Sequence, residues 1–445
     1  MGYLIIFLVN LVYLPAIKFG LVSDDATVFK LNFFPLKRSK ITSIVLHIVI
    51  AEYVYYAFGQ TTISLIAALL FSVHPTAIQI PVWFSGRYYG LEALKFLMIF
   101  AFAPIGVVVY FVWGVGILTN VFTPFLFLFT KHWYIVFIFI YLAWRKYKII
   151  IKGIQSRAKS IDTTFKPGVP LQKGFFLHEF KIKNLILVVK TFGYYTLSCL
   201  LPLKNGFYNS FLCTLGASKK ATDNCYSYNR QFWGGLFAMV LMFILWLFNM
   251  RNNIGIGIML FVLSVGPYFN FISIHQFTAP RYSYLALIGF QIAFVTFIAQ
   301  VFHPLVQAGI FSALFLFYLD KTIRVMQHYK KDDITMVDLD SQVFPENPRV
   351  WYFKYEHMLH KNNPVMAWAE ASYGLRHLPE DCQLWFGLSC ASFELGDCSA
   401  AKIFVETSEK CMILTDRQSM QSVINELKKR INDELFKKWK LGKQR

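Results

Sequence analysis

The chain has 445 residues, of which 56% are hydrophobic and 18% are aromatic, and its mean hydropathy is +0.46. These values exceed those of soluble globular proteins, and apolar stretches of membrane-spanning length recur, so the composition excludes an ordinary soluble protein. The formal net charge is +19, but much of it lies between apolar stretches or in the C-terminal tail, where basic residues bind lipid headgroups or set orientation. We therefore expect a polytopic membrane protein without a nucleic-acid partner.

Taken in chain order, the apolar segments predict about eleven transmembrane helices. The predicted crossings are 3–19, 41–58, 61–73, 91–104, 106–130, 133–151, 184–203, 232–250, 254–272, 282–301 and 305–319. The first segment has no Lys or Arg before it and no small-residue cleavage site after it. It therefore predicts an uncleaved anchor instead of a removed signal peptide.

The loop at residues 145–183 sets the predicted orientation. It holds ten Lys and Arg against Asp162 and Glu179, which is the strongest positive-inside signal in the chain and predicts a cytoplasmic loop. Counting from this loop places Asp24, Asp25, the stretch His74–Gly90 and everything after residue 319 on the outer side. That side is the endoplasmic reticulum lumen or the bacterial periplasm. The basic residues Lys30, Lys37, Arg38 and Lys40 then lie outside against the rule, but the ten charges of the loop outweigh these four.

The stretch HPTAIQIPVWFSGRYYG, which runs from His74 to Gly90, interrupts two apolar helices with polar and aromatic residues. Such residues are costly in lipid, so they indicate a cavity filled by water or substrate. We predict that this stretch forms an active-site wall.

Beyond residue 320 the composition changes to mixed charge, which predicts a membrane domain at 1–320 and a soluble α-helical domain at 321–445. The motifs PENPRVW and PEDCQLW begin at Pro345 and Pro379, and their spacing of 34 residues is the period of a tetratricopeptide repeat (TPR) hairpin. Ala367 and Ala401 recur at the same offset. The overall prediction is therefore an all-α fold with a C-terminal TPR domain that binds a partner protein.

A last amphipathic helix, at about 417–439, is expected to close the repeat array. Its residues Leu427, Ile431 and Leu435 recur at four-residue spacing, so they share the face that packs on the array and leave a basic outer face.

The cysteines lie almost entirely in segments assigned to the outer side. Only Cys199 falls within a predicted crossing; the other six are Cys213, Cys225, Cys382, Cys390, Cys398 and Cys411. This distribution is typical of an oxidising outer compartment, although the four cysteines of the repeats are equally explained as small apolar core residues. For the pair in the polar loop, Cys213 and Cys225, we predict a disulfide that stabilises the loop by about 3 kcal/mol.

Three polar clusters are expected to meet on the outer side: Asp24 with Asp25; His74 with Trp83 and Arg87; and Arg281 with Tyr282 and Tyr284. Adjacent carboxylates suit a general base, because low dielectric and a like-charged neighbour raise the pKa of a carboxyl. Arginines suit phosphate, since a guanidinium binds its oxygens as a fork.

The predicted roles are therefore catalytic for Asp24 and Asp25, and phosphate-binding for His74, Arg87, Arg281 and Tyr282. No metal or other cofactor is favoured, although a divalent metal is not excluded. The alternative is that the aspartates form a solvated helix cap and the arginines anchor the chain at the membrane interface.

Together these motifs resemble a known family. Residues 1–319 look like the GT-C glycosyltransferases of the TMTC type, which are transmembrane and TPR-containing protein O-mannosyltransferases, and their bacterial relatives. The Asp24-Asp25 pair after the first helix, LLFSVHPTAIQIPVWFSGRYYGLEAL, LPLKNGFYNSF and APRYSYLALIGF resemble that family's motifs in order and content. The resemblance implies sugar transfer from a polyprenyl-phosphate-linked donor on the outer side, with an aspartate of the first loop as base and the arginines near the donor phosphate.

Three positions depart from the family pattern. Gln79, Tyr89 and Pro280 stand where relatives carry acidic residues, so this chain is metal-independent, has a changed sugar preference, or has lost catalysis. Two main hypotheses follow: a glycosyltransferase that acts on a protein or glycan, and a catalytically degenerate membrane scaffold whose TPR domain binds a partner. A transporter or channel is a third, but internal repeats in the membrane part are not evident.

Overall fold

The computed structural model of this chain describes residues 1–19, 36–83, 86–102, 137, 183–204, 206, 226–269, 278–330, 333–411 and 417–443. Within these residues all regular secondary structure is helical, as the all-α prediction requires. The α-helices are α1 Gly2–Asn10, α2 Leu36–Ala57, α3 Thr62–Ser72, α4 Gln79–Val82, α5 Arg87–Phe102, α6 Lys183–Leu200, α7 Arg230–Asn249, α8 Asn253–Val265, α9 Tyr284–Val301, α10 Pro304–His328, α11 Asp333–Val343, α12 Pro348–His360, α13 Pro364–His377, α14 Cys382–Glu394, α15 Cys398–Cys411 and α16 Arg417–Lys443. Short 3-10 helices adjoin them at Leu11–Lys18, Pro75–Ala77, Gly266–Tyr268 and Pro280–Ser283.

Several helices are long and apolar enough to cross a membrane. Among the described residues these are Lys40–Ala57, Arg230–Asn249, Pro280–Val301 and Pro304–Gln327. The segments Thr62–Ser72 and Pro75–Val82 form a fifth if a pair bent by 59° counts as one span, and three shorter apolar helices lie at Gly2–Lys18, Leu185–Leu200 and Asn253–Tyr268. The chain is therefore a helical membrane protein. The total of eleven crossings stays a prediction, since 106–130 and almost all of 133–151 and of the basic loop 145–183 lie outside the described residues.

Glycines allow two pairs of these helices to touch along their backbones. A Cβ at Gly257 of α8 would lie 2.5 Å from the carbonyl oxygen of Gly289 in α9, and a Cβ at Gly289 would lie equally close to the Gly257 carbonyl. Gly193 of α6 and Gly235 of α7 meet in the same manner. Small residues bring membrane helices close enough for extensive van der Waals contact, which is the main attraction available to them in lipid.

A buried polar network fastens α1, α2, α3 and α9. The Nδ1 atom of His47 lies 2.7 Å from the Tyr284 hydroxyl, and its Nε2 atom lies 3.2 Å from the Ser72 carbonyl. The same carbonyl accepts the Tyr13 hydroxyl at 2.8 Å, while Asn10 Nδ2 donates to the Ser72 hydroxyl at 3.0 Å. A carbonyl accepts only, so Nε2 carries the proton and Nδ1 accepts from Tyr284. The network satisfies polar groups that would be costly in an apolar core.

The C-terminal region contains a helix hairpin that repeats. Helices α12 and α13 are followed by α14 and α15, whose first and last residues all lie 34 positions later. One hydrogen bond repeats with them: Trp351 Nε1 donates to the Pro345 carbonyl at 2.8 Å, and Trp385 Nε1 donates to the Pro379 carbonyl at 2.9 Å. The spacing of 34 residues between the sequence motifs is therefore also the spacing of a structural repeat, whereas the assignment of the hairpins to the TPR type stays a prediction.

Helix α16 packs on this array through the residues that the spacing singled out. Leu427 and Ile431 are buried against α14 and α15, and Leu435 packs beside them. The predicted end at residue 439 was short, because α16 continues to Lys443.

Helix α10 runs through the predicted domain boundary. The border at 320/321 falls inside this helix, which is continuous over Pro304–His328. The charged residues that suggested a boundary include Asp320 and Arg324, which are exposed and form an i,i+4 ion pair at 2.9 Å on the helix surface. Such a pair supports a helix instead of ending it, so a change in composition did not mark a break in the chain.

The start of the C-terminal region covers the bend between α3 and α4. Thr322 Oγ1 donates to the Val73 carbonyl at 2.7 Å, and Gln79 Nε2 lies 3.4 Å from the Tyr329 hydroxyl. Trp83 belongs to the same buried apolar cluster as Val337 and residues of the first hairpin. The end of α10 is therefore in direct contact with the stretch that the sequence nominated as a site, and the first hairpin shares an apolar cluster with it.

Candidate functional site

The stretch from His74 to Trp83, predicted to be a polar interruption between two apolar helices, is a buried and bent segment that follows α3. Every residue of it is buried, and the chain turns through 59° between α3 and the segment Pro75–Val82. Prolines at 75 and 81 each remove a backbone donor, which prevents one straight helix. The predicted interruption is confirmed, whereas its position on the outer side and its role as an active-site wall stay predictions.

His74 fastens this break to its neighbours. Its Nδ1 atom accepts a hydrogen bond from the Thr76 backbone N–H at 3.1 Å, which caps the following turn, and its Nε2 atom donates to the Cys199 carbonyl at 3.1 Å. The ring also lies edge-on to Tyr318, with 4.3 Å between ring centroids. Both nitrogens are thus occupied within the protein, and His74 does not line the cleft described below.

Lys40 adds a second tie to the same segment. The residue is buried, and its Nζ atom donates to the Val82 carbonyl at 2.6 Å. This lysine belonged to the basic run that conflicted with the predicted orientation. A lysine that caps a buried carbonyl has a structural partner, so it carries less weight as an orientation signal than a lysine in a loop.

Arg281 and Tyr282 lie together beside a small cleft. The Arg281 guanidinium is 5.2 Å from the ring of Trp83 and 5.0 Å from that of Tyr282, and it hydrogen-bonds to the hydroxyls of Tyr89 and Tyr282. Tyr282 in turn stacks on Tyr268, with 4.2 Å between the ring centroids. Stacked and cation–π contacts hold the guanidinium plane in a fixed orientation.

The cleft is lined by aromatic and polar side chains and has little free space. Its lining residues are Tyr89, Glu92, Ser264, Tyr268, Arg281, Tyr282, Tyr284 and Leu285, and its volume is about 20 Å³. A water molecule needs about 10–15 Å³ on this measure, so the cleft admits one oxygen-sized group. Among the described residues the Ser264 and Tyr268 hydroxyls, which line it, have no hydrogen-bond partner. Buried hydroxyls normally have one, so the cleft is suited to a polar ligand.

Glu92 is one of the cleft residues that sequence reasoning missed, together with Ser264 and Tyr268. It is only 3% exposed, and its Oε1 atom lies 3.4 Å from Lys95 Nζ. Glu92 lies with Lys95 in the predicted crossing 91–104, and this was a usable signal, since an ionisable residue within a membrane segment is a functional-site candidate. Glu92 also lies three positions after Tyr89, which places the two on one face of α5.

The other predicted site residues are not brought to this cleft by the described part of the chain. Arg87 begins α5 and is half-buried, but it does not line the cleft. Asp24 and Asp25 lie outside the described residues. Within those residues no three His, Cys, Asp or Glu side chains come together as a metal site would need.

The cysteines of the repeat array are free thiols. All five cysteines in the described ranges are unbridged, and Cys382 and Cys398 are buried. Both contribute to the apolar cluster between α14, α15 and α16, in line with the alternative that they are small core residues. The predicted partners Cys213 and Cys225 lie outside the described residues.

Comparisons with protein-family models, curated proteins and solved structures give no match to this chain. The cleft combines one guanidinium, one carboxylate and five hydroxyls, of which those of Ser264 and Tyr268 have no partner among the described residues. Its lining side chains are mostly buried, and electrostatic interactions are stronger in such an environment than at a surface.

Proposed function

We propose that this protein is a membrane glycosyltransferase that moves a sugar from a polyprenyl-phosphate-linked donor to a protein or glycan acceptor. The observation that carries the proposal is Arg281, which is 7% exposed and lines a cleft in which, among the described residues, the Ser264 and Tyr268 hydroxyls have no hydrogen-bond partner. The active face and the repeat array would lie on the lumenal or periplasmic side, as the basic loop and the cysteine distribution indicate.

A buried arginine is a costly feature that suits phosphate recognition. Removing a guanidinium from water carries a large penalty, so such residues in membrane segments pair with other groups or mark a substrate path. The fork of a guanidinium matches two phosphoryl oxygens, and its fixed charge stabilises the negative charge that develops when the sugar leaves phosphate. Trp83 and Tyr282 hold the fork in place before any ligand arrives.

The remaining roles follow from the motif resemblance. Asp24 or Asp25 would take the proton from an acceptor hydroxyl, which then attacks the sugar carbon. The bond between that carbon and the phosphate oxygen breaks, and Arg281 with Arg87 would hold the leaving lipid phosphate. The phosphate is larger than the cleft, so it would lie at the mouth.

Lipid-phosphate binding tests this proposal directly. Purified protein in lipid nanodiscs should bind a short-chain isoprenyl phosphate, and Arg281→Ala should weaken that binding about 10- to 100-fold, since hydrogen bonds to a charged group contribute about 1.5–3 kcal/mol. Arg281→Lys should recover only part, because an ammonium lacks the fork. Arg251→Ala removes the same charge from an exposed turn and should bind as wild type does. Equal binding by the Arg281→Ala and wild-type proteins would refute the phosphate role.

A transfer assay with the lipid-linked sugar separates an enzyme from a binding protein. Asp24→Asn or Asp25→Asn should reduce transfer about 10²–10⁴-fold while lipid binding is kept. Addition of a chelator should change little, because two aspartates alone make a poor metal site. Full activity in both aspartate variants would remove them from the mechanism.

The second candidate is a membrane scaffold whose repeat array binds a partner protein. The observation that favours it is the narrowness of the cleft, which admits one oxygen-sized group, together with large aromatic side chains exposed on the hairpins, among them Phe353, Trp368 and Tyr373. A protein that binds no isoprenyl phosphate, but retains a stoichiometric protein partner lost on Trp368→Ser, would support the scaffold and not the enzyme.

A further inference from the structure

We infer that Glu92, together with the hydroxyls of Ser264 and Tyr268, binds one hydroxyl group of the sugar that the donor carries. This inference rests on the proposed function and adds a specificity-determining residue to it. All three side chains line the same cleft as Arg281, and each of the three is at least nine-tenths buried.

The walls of the cleft are matched to a hydroxyl group. A sugar hydroxyl has one hydrogen to donate, which a carboxylate accepts, and lone pairs that the Ser264 or Tyr268 hydroxyl can donate to. The space admits one oxygen-sized group. A phosphate monoanion or dianion is a poor fit beside Glu92, because like charges repel most strongly where water is scarce. The two charged side chains would therefore bind different parts of the donor: the Arg281 guanidinium binds the phosphate, and the Glu92 carboxylate binds a sugar hydroxyl.

Proximity selects which hydroxyl enters. Arg281 and Glu92 line one small cleft, so the hydroxyl must be close to the phosphate in the donor. In a sugar linked to phosphate through its anomeric carbon, the nearest free hydroxyl is on the adjacent ring carbon, C2. We therefore assign the cleft to the C2 hydroxyl. Because the Glu92 carboxylate would bind this hydroxyl, the cleft also discriminates between sugars that differ only in the orientation of the C2 hydroxyl.

Lys95 provides the alternative explanation that an experiment has to exclude. Its Nζ atom lies 3.4 Å from Glu92 Oε1 in the same helix, so Glu92 has a structural role as counter-ion of a buried lysine. Loss of one partner of a buried ion pair leaves an uncompensated charge, whereas loss of both is often tolerated. A double variant that removes both charges therefore separates the structural role from recognition.

The test measures binding by the full-length protein in nanodiscs with four probes: isoprenyl phosphate, its mannosyl and glucosyl derivatives, and the 2-deoxy derivative common to both sugars. Wild-type protein should bind one epimer about 10- to 100-fold more tightly than the 2-deoxy probe, because a missing hydroxyl leaves buried polar groups unpaired. Glu92→Gln should reduce this ratio to a few-fold, and it should not weaken the binding of sugarless isoprenyl phosphate, because the substitution removes a negative charge from the cleft.

Two further variants keep the result decisive. The double variant Glu92→Gln with Lys95→Met should keep the reduced ratio between the affinities for the preferred epimer and the 2-deoxy probe. If it regains the wild-type ratio, Glu92 serves only as the counter-ion of Lys95, and the inference is overturned. Ser264→Ala changes no charge, so it still tests the inference if Glu92→Gln fails to fold. It should reduce the ratio between the affinities for the preferred epimer and the 2-deoxy probe to half of the wild-type value or less. Unchanged discrimination in both Glu92→Gln and Ser264→Ala would overturn the inference alone. Absence of isoprenyl phosphate binding in wild type would overturn the proposed function and the inference together.

Discussion

Replacing Gly235 by alanine tests whether α6 and α7 pack backbone against backbone. A Cβ at Gly235 would overlap the Val189 carbonyl oxygen, and a Cβ at Gly193 would lie 2.5 Å from the Gly235 Cα atom. Ordinary contacts of a Cβ begin at 3.4 Å, so one methyl group requires the two helices to separate by about 1 Å. The atoms it meets belong to the backbone, which cannot rotate away as a flexible side chain would.

The neighbouring glycine supplies a matched control. Gly234 lies in the same helix, and a Cβ there would meet nothing within 4 Å. Alanine favours a helix over glycine by about 1 kcal/mol at either position, so this gain cancels when the two variants are compared. The difference between them isolates the overlap, for which we expect about 1–3 kcal/mol, the usual cost of overpacking.

The comparison requires only the equilibrium unfolding of each variant. Detergent-solubilised protein is titrated with sodium dodecyl sulfate, and helix loss is followed by far-ultraviolet circular dichroism. Gly234→Ala should match or exceed wild-type stability, and Gly235→Ala should fall below Gly234→Ala by about 1–3 kcal/mol. If the two variants unfold together, the close approach of α6 and α7 is wrong.

Two further predictions concern the repeat array and its side of the membrane. Burial raises the pKa of Asp381 from 3.8 to about 6, although the Tyr352 hydroxyl donates to its carboxylate at 2.5 Å. The folded state therefore binds the proton more tightly than the unfolded state does. This preference contributes about 3 kcal/mol to the free energy of unfolding below pH 4, and the contribution is lost as the pH rises through 6. Hydrogen exchange of α14, corrected for intrinsic rates, should show protection falling over this range in wild type and flat in Asp381→Asn; flat protection in wild type would contradict it. The predicted orientation places residues 160 and 380 on opposite sides of the membrane. Single cysteines introduced at these two positions of a cysteine-free chain should therefore be labelled by thiol reagents from opposite sides of intact vesicles. Labelling of both from the same side would contradict the predicted topology.

The repeat array was predictable because its information is local. Hairpins that repeat every 34 residues place the same residue types at the same structural positions, so the Trp351 and Trp385 bonds follow from two short motifs. The packing face of α16 was predictable for a similar reason, since residues four positions apart share one side of a helix. The continuity of α10 through residue 320 could not be predicted from composition, because surface charge and chain breaks change composition in the same way.

The amino-acid sequence by itself determined that this is a helical membrane protein with an interruption after α3, and that Arg281 and Tyr282 belong together. Composition, proline placement and helical periodicity act over a few residues, so they can be read without a fold. Tertiary structure alone decided that His74 is used as a tie to Cys199 and that Glu92 meets Ser264, Tyr268 and Arg281 in one cleft. These residues come from helices far apart along the chain, and which side chains meet depends on how closely the helices approach. That approach is set by glycines and buried polar contacts whose partners no local pattern specifies.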